Sequence, residues 1–350
     1  MQELYFAYPG DIDTPTGGYA YDRRVIAGLR DLGWQVKLLP LGEGFPFPSA
    51  EVLADAGQKL VDLPEGARVI VDGLAFGVMP EAASALAKRL RLIALVHHPL
   101  CRENGLSAEQ ADRLKQSENE VLKHAGQVIV TSPATALQVQ DLFGVEADRI
   151  AVILPGTDIP EPIVRASTEK VRLLSVGTVV PRKGYDLLFK ALGDLLHHNW
   201  QLDLVGGLQA DPDCLAALQE QAVRLGLEKR ITFHGAVPAQ DLTAYYRAAD
   251  IFVLASRYEG YGMAFTEAIA YGLPVIGSGG GAVKNTLPER ASIYCETENF
   301  AALRDALDLL ITDPERRAIL SDAARKAARD LPSWADASSQ FDRFLRKVAA

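Results

Sequence analysis

Along the chain, short runs of Val, Ile and Leu alternate with longer stretches whose apolar residues recur every three to four positions. The first pattern suits strands buried on both faces and the second suits amphipathic helices. Their alternation predicts repeated βαβ units around parallel sheets. The series occurs twice. In the first half the strand candidates are "LYFAY", "QVKLLPL", "ARVIVDG", "LIALVHH", "QVIVTS" and "IAVIL", with helical patterns such as "YDRRVIAGLRDLG" and "EQADRLKQSENEVLKHAG" between them. In the second half they are "VRLLSVG", "QLDLVGG", "ITFHG", "DIFVLAS", "PVIGS" and "SIYC". Between the halves, "PGTDIPEPIVRASTEK" breaks the periodicity with three prolines, which places a linker near residues 155–169. After Pro332, "SWADASSQFDRFLRKVA" reads as a closing amphipathic helix with Ser333 as its N-cap. The chain therefore divides into 1–155, 170–332 and a final helix over 333–350.

Length supports two domains, because a single core stops growing at roughly 250–300 residues and this chain has 350. A net charge of -9 argues against a general nucleic-acid or anionic-membrane binder, which would need a basic face. Cys101, Cys214 and Cys295 are odd in number and lack metal-ligand spacing, so neither a disulfide framework nor a zinc site is expected. The N-terminal "MQELYFAYPGD" lacks the charged and apolar regions of a signal peptide, and no apolar run reaches roughly 18 residues. The expectation is a cytoplasmic protein with no integral membrane segment; peripheral membrane contact stays open.

Ligands of open α/β sheets bind beyond the carboxyl ends of the strands, so the residues after each apolar run carry the candidate chemistry. After "DIFVLAS" comes "RYEGYGMAFTEAIAYG", with Glu259 in a loop, Glu267 in the following helix, and Gly260 and Gly262 between them to allow close backbone approach. Taken singly, each glutamate is better served by a plain role, Glu267 as a helix-dipole partner and Glu259 as an exposed residue. After "VRLLSVG", Arg182 and Lys183 open the helical "YDLLFKAL". Two cations at a helix start are disfavoured unless an anion bridges them, which suggests a phosphate, although a solvated basic pair fits as well. Gly17 and Gly18 before the first helix form a second candidate phosphate cradle or an ordinary turn. His97 and His98 follow "LIALV"; a histidine at a strand end is more often a packed structural residue, and His97 is favoured for a substrate hydroxyl or phosphate only by position. "GSGGGAV" offers a possible anion nest of backbone amides, or a flexible loop. There is no P-loop, Phe265 stands where a dinucleotide fingerprint needs its third glycine, and "DID" at Asp11 to Asp13 reads as a turn rather than a metal site.

Together these residues resemble the retaining family 4 glycosyltransferases. The most specific element is Glu, seven residues, Glu in "EGYGMAFTE", between "ADIFVLASRY" and "AIAYGLPVIGS"; "VGTVVPRKGYDLL", "ITFHGAVP" and Gly17-Gly18 follow the same order. The resemblance implies a GT-B fold, with two doubly wound Rossmann-like domains facing a central cleft and the last helix packing back on the first domain. It further implies that the second domain holds a UDP- or GDP-linked sugar, with Arg182 and Lys183 on the diphosphate, Glu267 on the ribose hydroxyls and Glu259 on the donor sugar. Gly17, Gly18 and His97 would reach phosphate and sugar from the first domain, which supplies the acceptor side. His97, Glu259 and Lys183 are then the catalytic candidates, Gly260 and Gly262 join the nucleotide-sugar site, and no metal or other cofactor is expected. Two departures are "GAVKN", with Lys284 and Asn285 where the family commonly has Pro-Glu, and "LPGTD" in place of Pro-Asn-Gly; they bear on the donor and on acceptor geometry. The alternatives are a nucleotide-sugar epimerase of the same fold class, a glycoside hydrolase using the two carboxylates, and a noncatalytic sugar-nucleotide binding subunit.

Overall fold

A computed structural model describes residues 2–103, 105–161 and 169–348; positions 162–168 of the expected linker lie outside them. The chain divides into two compact units, residues 1–156 with 332–350, and residues 157–331.

In the first unit, β1 (Gln2–Tyr8), β2 (Trp34–Pro40), β3 (Arg68–Asp72), β4 (Arg91–Val96), β5 (Gln127–Val130) and β6 (Ile150–Val152) form a parallel sheet in the order β2-β1-β3-β4-β5-β6. The connecting helices are α1 (Gly17–Asp31), α2 (Ala50–Val61), α3 (Gly73–Phe76), α4 (Pro80–Leu86), α5 (Ala108–His124) and α6 (Pro133–Phe143). Central strands such as β3 and β4 are apolar on both faces because helices cover both, which is why they read as continuous apolar runs.

The final helix, Trp334–Lys347, belongs to this unit. Ser333 caps it through a reciprocal capping box with Asp336. Phe341 and Leu345 are fully buried and Phe344 is half-buried. Burying each of the first two contributes roughly 2–3 kcal/mol. The Phe341 ring lies 6.1 Å from Tyr21 of α1, and the Trp34 indole donates to Asp342 at 2.8 Å. Gly28 makes the packing against α1 feasible, since a Cβ there would fall 1.9 Å from Ser338 Oγ.

In the second unit, β7 (Val171–Val176), β8 (Trp200–Val205), β9 (Ile231–Gly235), β10 (Ile251–Leu254), β12 (Val275–Ser278) and β14 (Ser292–Cys295) form another parallel sheet, ordered β14-β12-β10-β7-β8-β9. The helices are α7 (Tyr185–Gly193), α8 (Pro212–Arg224), α9 (Ala239–Ala248), α10 (Met263–Ala270), α11 (Val283–Thr286), α12 (Phe300–Thr312) and α13 (Pro314–Ala327). Trp200, Phe189, Phe252 and Phe265 fill its core. The two-residue strands β11 (Tyr258–Glu259) and β13 (Gly280–Gly281) pair beyond the main sheet. They are too short to show a period, and the sequence did not predict them.

Each sheet changes direction beside its first strand, between β1 and β3 and between β7 and β10. At such a switch point the loops leaving the two neighbouring strands part and open a crevice at the strands' carboxyl ends. The predicted site residues follow β1, β4, β7 and β10. No helix among the described residues is long and apolar enough to cross a membrane.

Candidate functional site

At the second switch point, the loop after β7 meets the loop after β10. Arg182 and Lys183 lie in a single 3₁₀ turn, Pro181–Lys183, and Gly184 separates them from α7. They therefore precede the helix rather than open it, which corrects the sequence reading. Gly184 has φ +64°, and a Cβ there would lie 1.9 Å from the Ala255 carbonyl oxygen, so only glycine lets this turn press against the end of β10. Arg257 completes the clasp. Its backbone N–H donates to the Arg182 carbonyl at 2.7 Å, and its guanidinium makes two bonds to Asp186, at 2.9 and 2.8 Å, and one to Glu298 at 2.5 Å. Sequence reasoning missed Arg257, because nothing in its neighbourhood announces partners 71 and 41 residues away.

Glu259 supplies the anion that the adjacent cations require. Lys183 Nζ is 2.6 Å from its Oε1 and Arg182 NH1 is 3.3 Å from its Oε2. The Ser256 hydroxyl also donates to Oε1, and Arg182 NH1 donates to the Tyr258 carbonyl at 2.8 Å. Burial alone would raise the Glu259 pKa, but Lys183 and Arg182 outweigh it and push the carboxyl down to about 2. Glu259 is thus a buried, firmly ionised carboxylate rather than an exposed one.

Glu267, in α10, has a different environment. It accepts a hydrogen bond from the Tyr246 hydroxyl at 2.7 Å. Burial raises its pKa, the Tyr246 bond works against that, and the Asp158 charge adds to the rise. Tyr246 is held in turn by stacking on Tyr271, with ring centroids 4.9 Å apart. Gly262 precedes α10 with φ +93°, and a Cβ there would come within 2.6 Å of the Phe265 ring, so this glycine is needed by the turn itself. Gly260 lies between Glu259 and that turn. In "GSGGGAV", the Gly280 and Ala282 amides donate to the Arg257 and Glu259 carbonyls, both at 2.9 Å, so these two are spent on pairing the loops rather than forming a nest.

The first unit assembles a second cluster around its own switch point. Gly17 and Gly18 are the first two residues of α1, not residues before it, and Thr16 is the N-cap. A Cβ on Gly18 would lie 3.6 Å from the His97 ring. His97 follows β4, and its Nε2 is 3.3 Å from Asp22 Oδ1 and 3.5 Å from Asp72 Oδ2. Asp22, on α1, is completely buried. Burial drives the Asp22 pKa up, partly countered by His97; burial works against the imidazolium, but Asp22 and Asp72 prevail and raise the His97 pKa. His98 instead pairs with Glu103 at 3.1 Å, which separates the two histidines. Asp22 and Asp72 were not singled out from the sequence; Asp22 reads there as a polar position on an amphipathic helix.

Asp13 N–H donates to Asp11 Oδ1 at 2.9 Å, the exposed turn expected of "DID". Among the described residues, two groups bring three metal-capable side chains together, Asp22–Asp72–His97 and His197–His198–Asp308; neither includes Asp11 or Asp13.

Residues 160–327 match the family model described as glycosyl transferases group 1, and residues 64–161 match that of glycosyltransferase family 4. A D-inositol 3-phosphate glycosyltransferase of Xylanimonas cellulosilytica is 28% identical over 239 residues, covering 63% of this chain and 57% of that protein. The chain spans about half the length of the curated relatives it matches. Among solved structures, sucrose-phosphate synthase from Thermosynechococcus elongatus superposes with a TM-score of 0.83 at 20% identity, covering 99% of each chain. Anabaena HepE in complex with UDP and glucose gives 0.77 at 20% identity, covering 97% of this chain and 99% of that one. These two likenesses carry the fold, which is GT-B.

Proposed function

The chain belongs to the family 4 glycosyltransferases, and on that premise we propose that it moves a sugar from a UDP- or GDP-linked donor to an acceptor hydroxyl with retention of anomeric configuration. The observation that carries this reading is the Arg182–Lys183–Glu259 cluster at the switch point between β7 and β10. Two nearly buried cations share the single Glu259 carboxylate beside a glycine turn, so the cluster keeps a net positive charge that suits a diphosphate, which demands fixed positive charge and close backbone approach.

In this reading Arg182 and Lys183 neutralise the diphosphate as its bond to the sugar breaks, and no metal is assigned to that task. Glu267 accepts from the ribose hydroxyls, since its carboxylate is supported by the neutral Tyr246 hydroxyl rather than consumed by a cation. Glu259 orients hydroxyls of the transferred sugar, and Gly260 and Gly262 shape the backbone beside it. Gly17 and Gly18 offer helix-start amides, and His97 a ring nitrogen, to substrate oxygens, with the first unit carrying the acceptor.

Glu259 is poorly suited to be a nucleophile or base. Its low proton affinity makes removal of a hydroxyl proton unfavourable, and three engaged donors, Lys183, Arg182 and Ser256, hold its oxygens away from attack on a sugar carbon. A donor phosphate oxygen taking the acceptor proton on the face where the bond breaks requires neither role from the protein, and leaves catalysis to positioning and charge stabilisation. Glycoside hydrolysis would demand one of those roles.

The test is a thermal-shift panel of UDP, GDP and their sugar conjugates. A ligand at about 100 times its dissociation constant adds roughly 2.7 kcal/mol of stability. A shift with one base and one sugar, followed by an NMR-assigned product of unchanged anomeric configuration, is expected. No shift with any nucleoside diphosphate would defeat the reading, and a new sugar nucleotide formed without acceptor would point to epimerisation.

A further inference from the structure

The cluster in the first unit holds two carboxylates and one imidazole, and its polar atoms are unusually short of partners. Asp22 is fully buried, and neither of its oxygens has a hydrogen-bond partner of good geometry; nor does His97 Nε2. What faces them is each other, at 3.3 Å, with Asp72 Oδ2 at 3.5 Å from the same nitrogen. Asp72 is anchored independently: it caps α3, and its Oδ1 accepts the Leu74 N–H at 2.7 Å. We propose that Asp22 and Asp72 are positioning residues that keep His97 in its doubly protonated, imidazolium form, so that His97 meets substrate as a cationic hydrogen-bond donor and takes no proton from it.

A neutral imidazole would leave two buried carboxylates converging on one nitrogen with nothing positive among the three groups, and burial would then drive a proton onto Asp22 instead, the arrangement that a histidine titration distinguishes. A buried carboxylate without a partner is costly, and there are two remedies, a proton or a bound cation. The surroundings favour the proton. Tyr21 packs edge-on to His97 at 5.5 Å, Gly18 lies close beside the imidazole and Thr131 Oγ1 donates to its carbonyl at 3.2 Å, while the side chain stays 21% exposed, which leaves it open to substrate. The charged or titratable groups facing the cluster are Asp22 from α1, Asp72 from the end of β3, and Tyr21 and Tyr19 from α1; the Tyr19 phenol also feels Asp72 and Asp22. The imidazolium is disfavoured by burial and favoured by both carboxylates, and the carboxylates prevail. An imidazolium carries N–H on both ring nitrogens and has no lone pair with which to act as a base. In the proposed transfer reaction, on which the identity of the substrate rests, that restricts His97 to stabilising developing negative charge on oxygen.

The test is histidine NMR on the full chain, which is tractable with six histidines, the His97 signal being assigned by its absence in His97→Gln. In the parent, the His97 ring should remain protonated from pH 6 to 8.5. In Asp22→Asn, which keeps the side-chain shape, its midpoint should fall at least tenfold in proton affinity, and the pH optimum of sugar transfer should move down with it. Bare nucleoside diphosphate should still raise the melting temperature of the variant, which separates this idea from the reaction assignment. A parent His97 that titrates near the ordinary value of about 6.5, or an Asn variant with the parent's midpoint, would overturn the proposal. So would stoichiometric metal in the purified parent with a His97 signal that moves on chelation, which would make the cluster a metal site. Should Asp22→Asn not fold, the parent titration and the chelation test still decide.

Discussion

Exchanging Glu259 for glutamine keeps its shape and removes one charge, leaving Lys183 and Arg182 facing each other across a site where their side chains are only 13% and 17% exposed. Two routes give the magnitude. Lowering the carboxyl from 4.5 to about 2 corresponds to about 3 kcal/mol of folded-state stabilisation at neutral pH. Breaking a buried ion pair by removing one partner costs about 3–5 kcal/mol. For a unit of this size, 1 kcal/mol moves the melting temperature by roughly 2–4 °C, so E259Q should melt about 6–12 °C below the parent. The sign of its pH dependence follows from the depressed folded pKa. The stabilisation is fully present above the unfolded value of 4.5 and is lost as pH falls toward about 2, so the gap between parent and variant should narrow by about 1.4 kcal/mol for each unit below 4.5. Ligand binding should run the other way. With their internal anion gone, Arg182 and Lys183 should hold bare UDP, GDP or pyrophosphate at least as tightly as before, while sugar transfer falls because the donor sugar loses its orienting carboxylate. Calorimetric melting from pH 3 to 8 and titration with the nucleoside diphosphates measure both effects. An E259Q variant that melts within 2 °C of the parent at pH 7 would refute the ion-pair argument. One that binds diphosphate more weakly would refute the assignment of the two cations to it.

Four further outcomes are expected. Glu267→Ala should weaken bare nucleoside diphosphate binding about tenfold or more, because a ribose hydroxyl loses its acceptor; parent-like affinity by calorimetry would remove Glu267 from the ribose. Gly28→Ala should lower the melting temperature by dislodging the final helix, since the new Cβ would meet Ser338, and adding Ser338→Gly should recover much of the loss. Truncation after Pro332 should destabilise the first unit further by exposing the surface that Phe341 and Leu345 cover, so an unchanged melting curve would contradict the packing. Sugar transfer should survive EDTA but fall by orders of magnitude in Lys183→Ala, with Arg182→Ala also impaired; activity abolished by EDTA and restored by magnesium or manganese would bring a metal into the leaving-group site.

The elements were legible because their signals are local. A buried parallel strand must be apolar at nearly every position, and a half-buried helix must repeat its apolar face every 3.6 residues. Each apolar run quoted from the sequence overlaps a strand of one of the two sheets, and Ser333 caps the final helix as expected. The candidate site was half legible: Gly17, Gly18, His97, Arg182, Lys183, Glu259 and Glu267 were candidates because they lie beyond strand ends. Which of them meet was decided only in three dimensions. Lys183 and Glu259 lie 76 positions apart and touch because β7 and β10 are neighbours in the sheet although β8 and β9 intervene in the chain. The same crossover brings Arg257 to Asp186; in the first sheet the pairing of β1 with β3, with β2 intervening in the chain, sets Asp22 of α1 beside His97, whereas Asp72 reaches His97 because β3 and β4 are neighbours in both chain and sheet. No periodicity encodes such pairings. Strand order is chosen by the packing of whole βαβ units, and a polar residue such as Asp22 on an otherwise ordinary helix shows whether it faces water or a buried imidazole only once the helix has found its sheet.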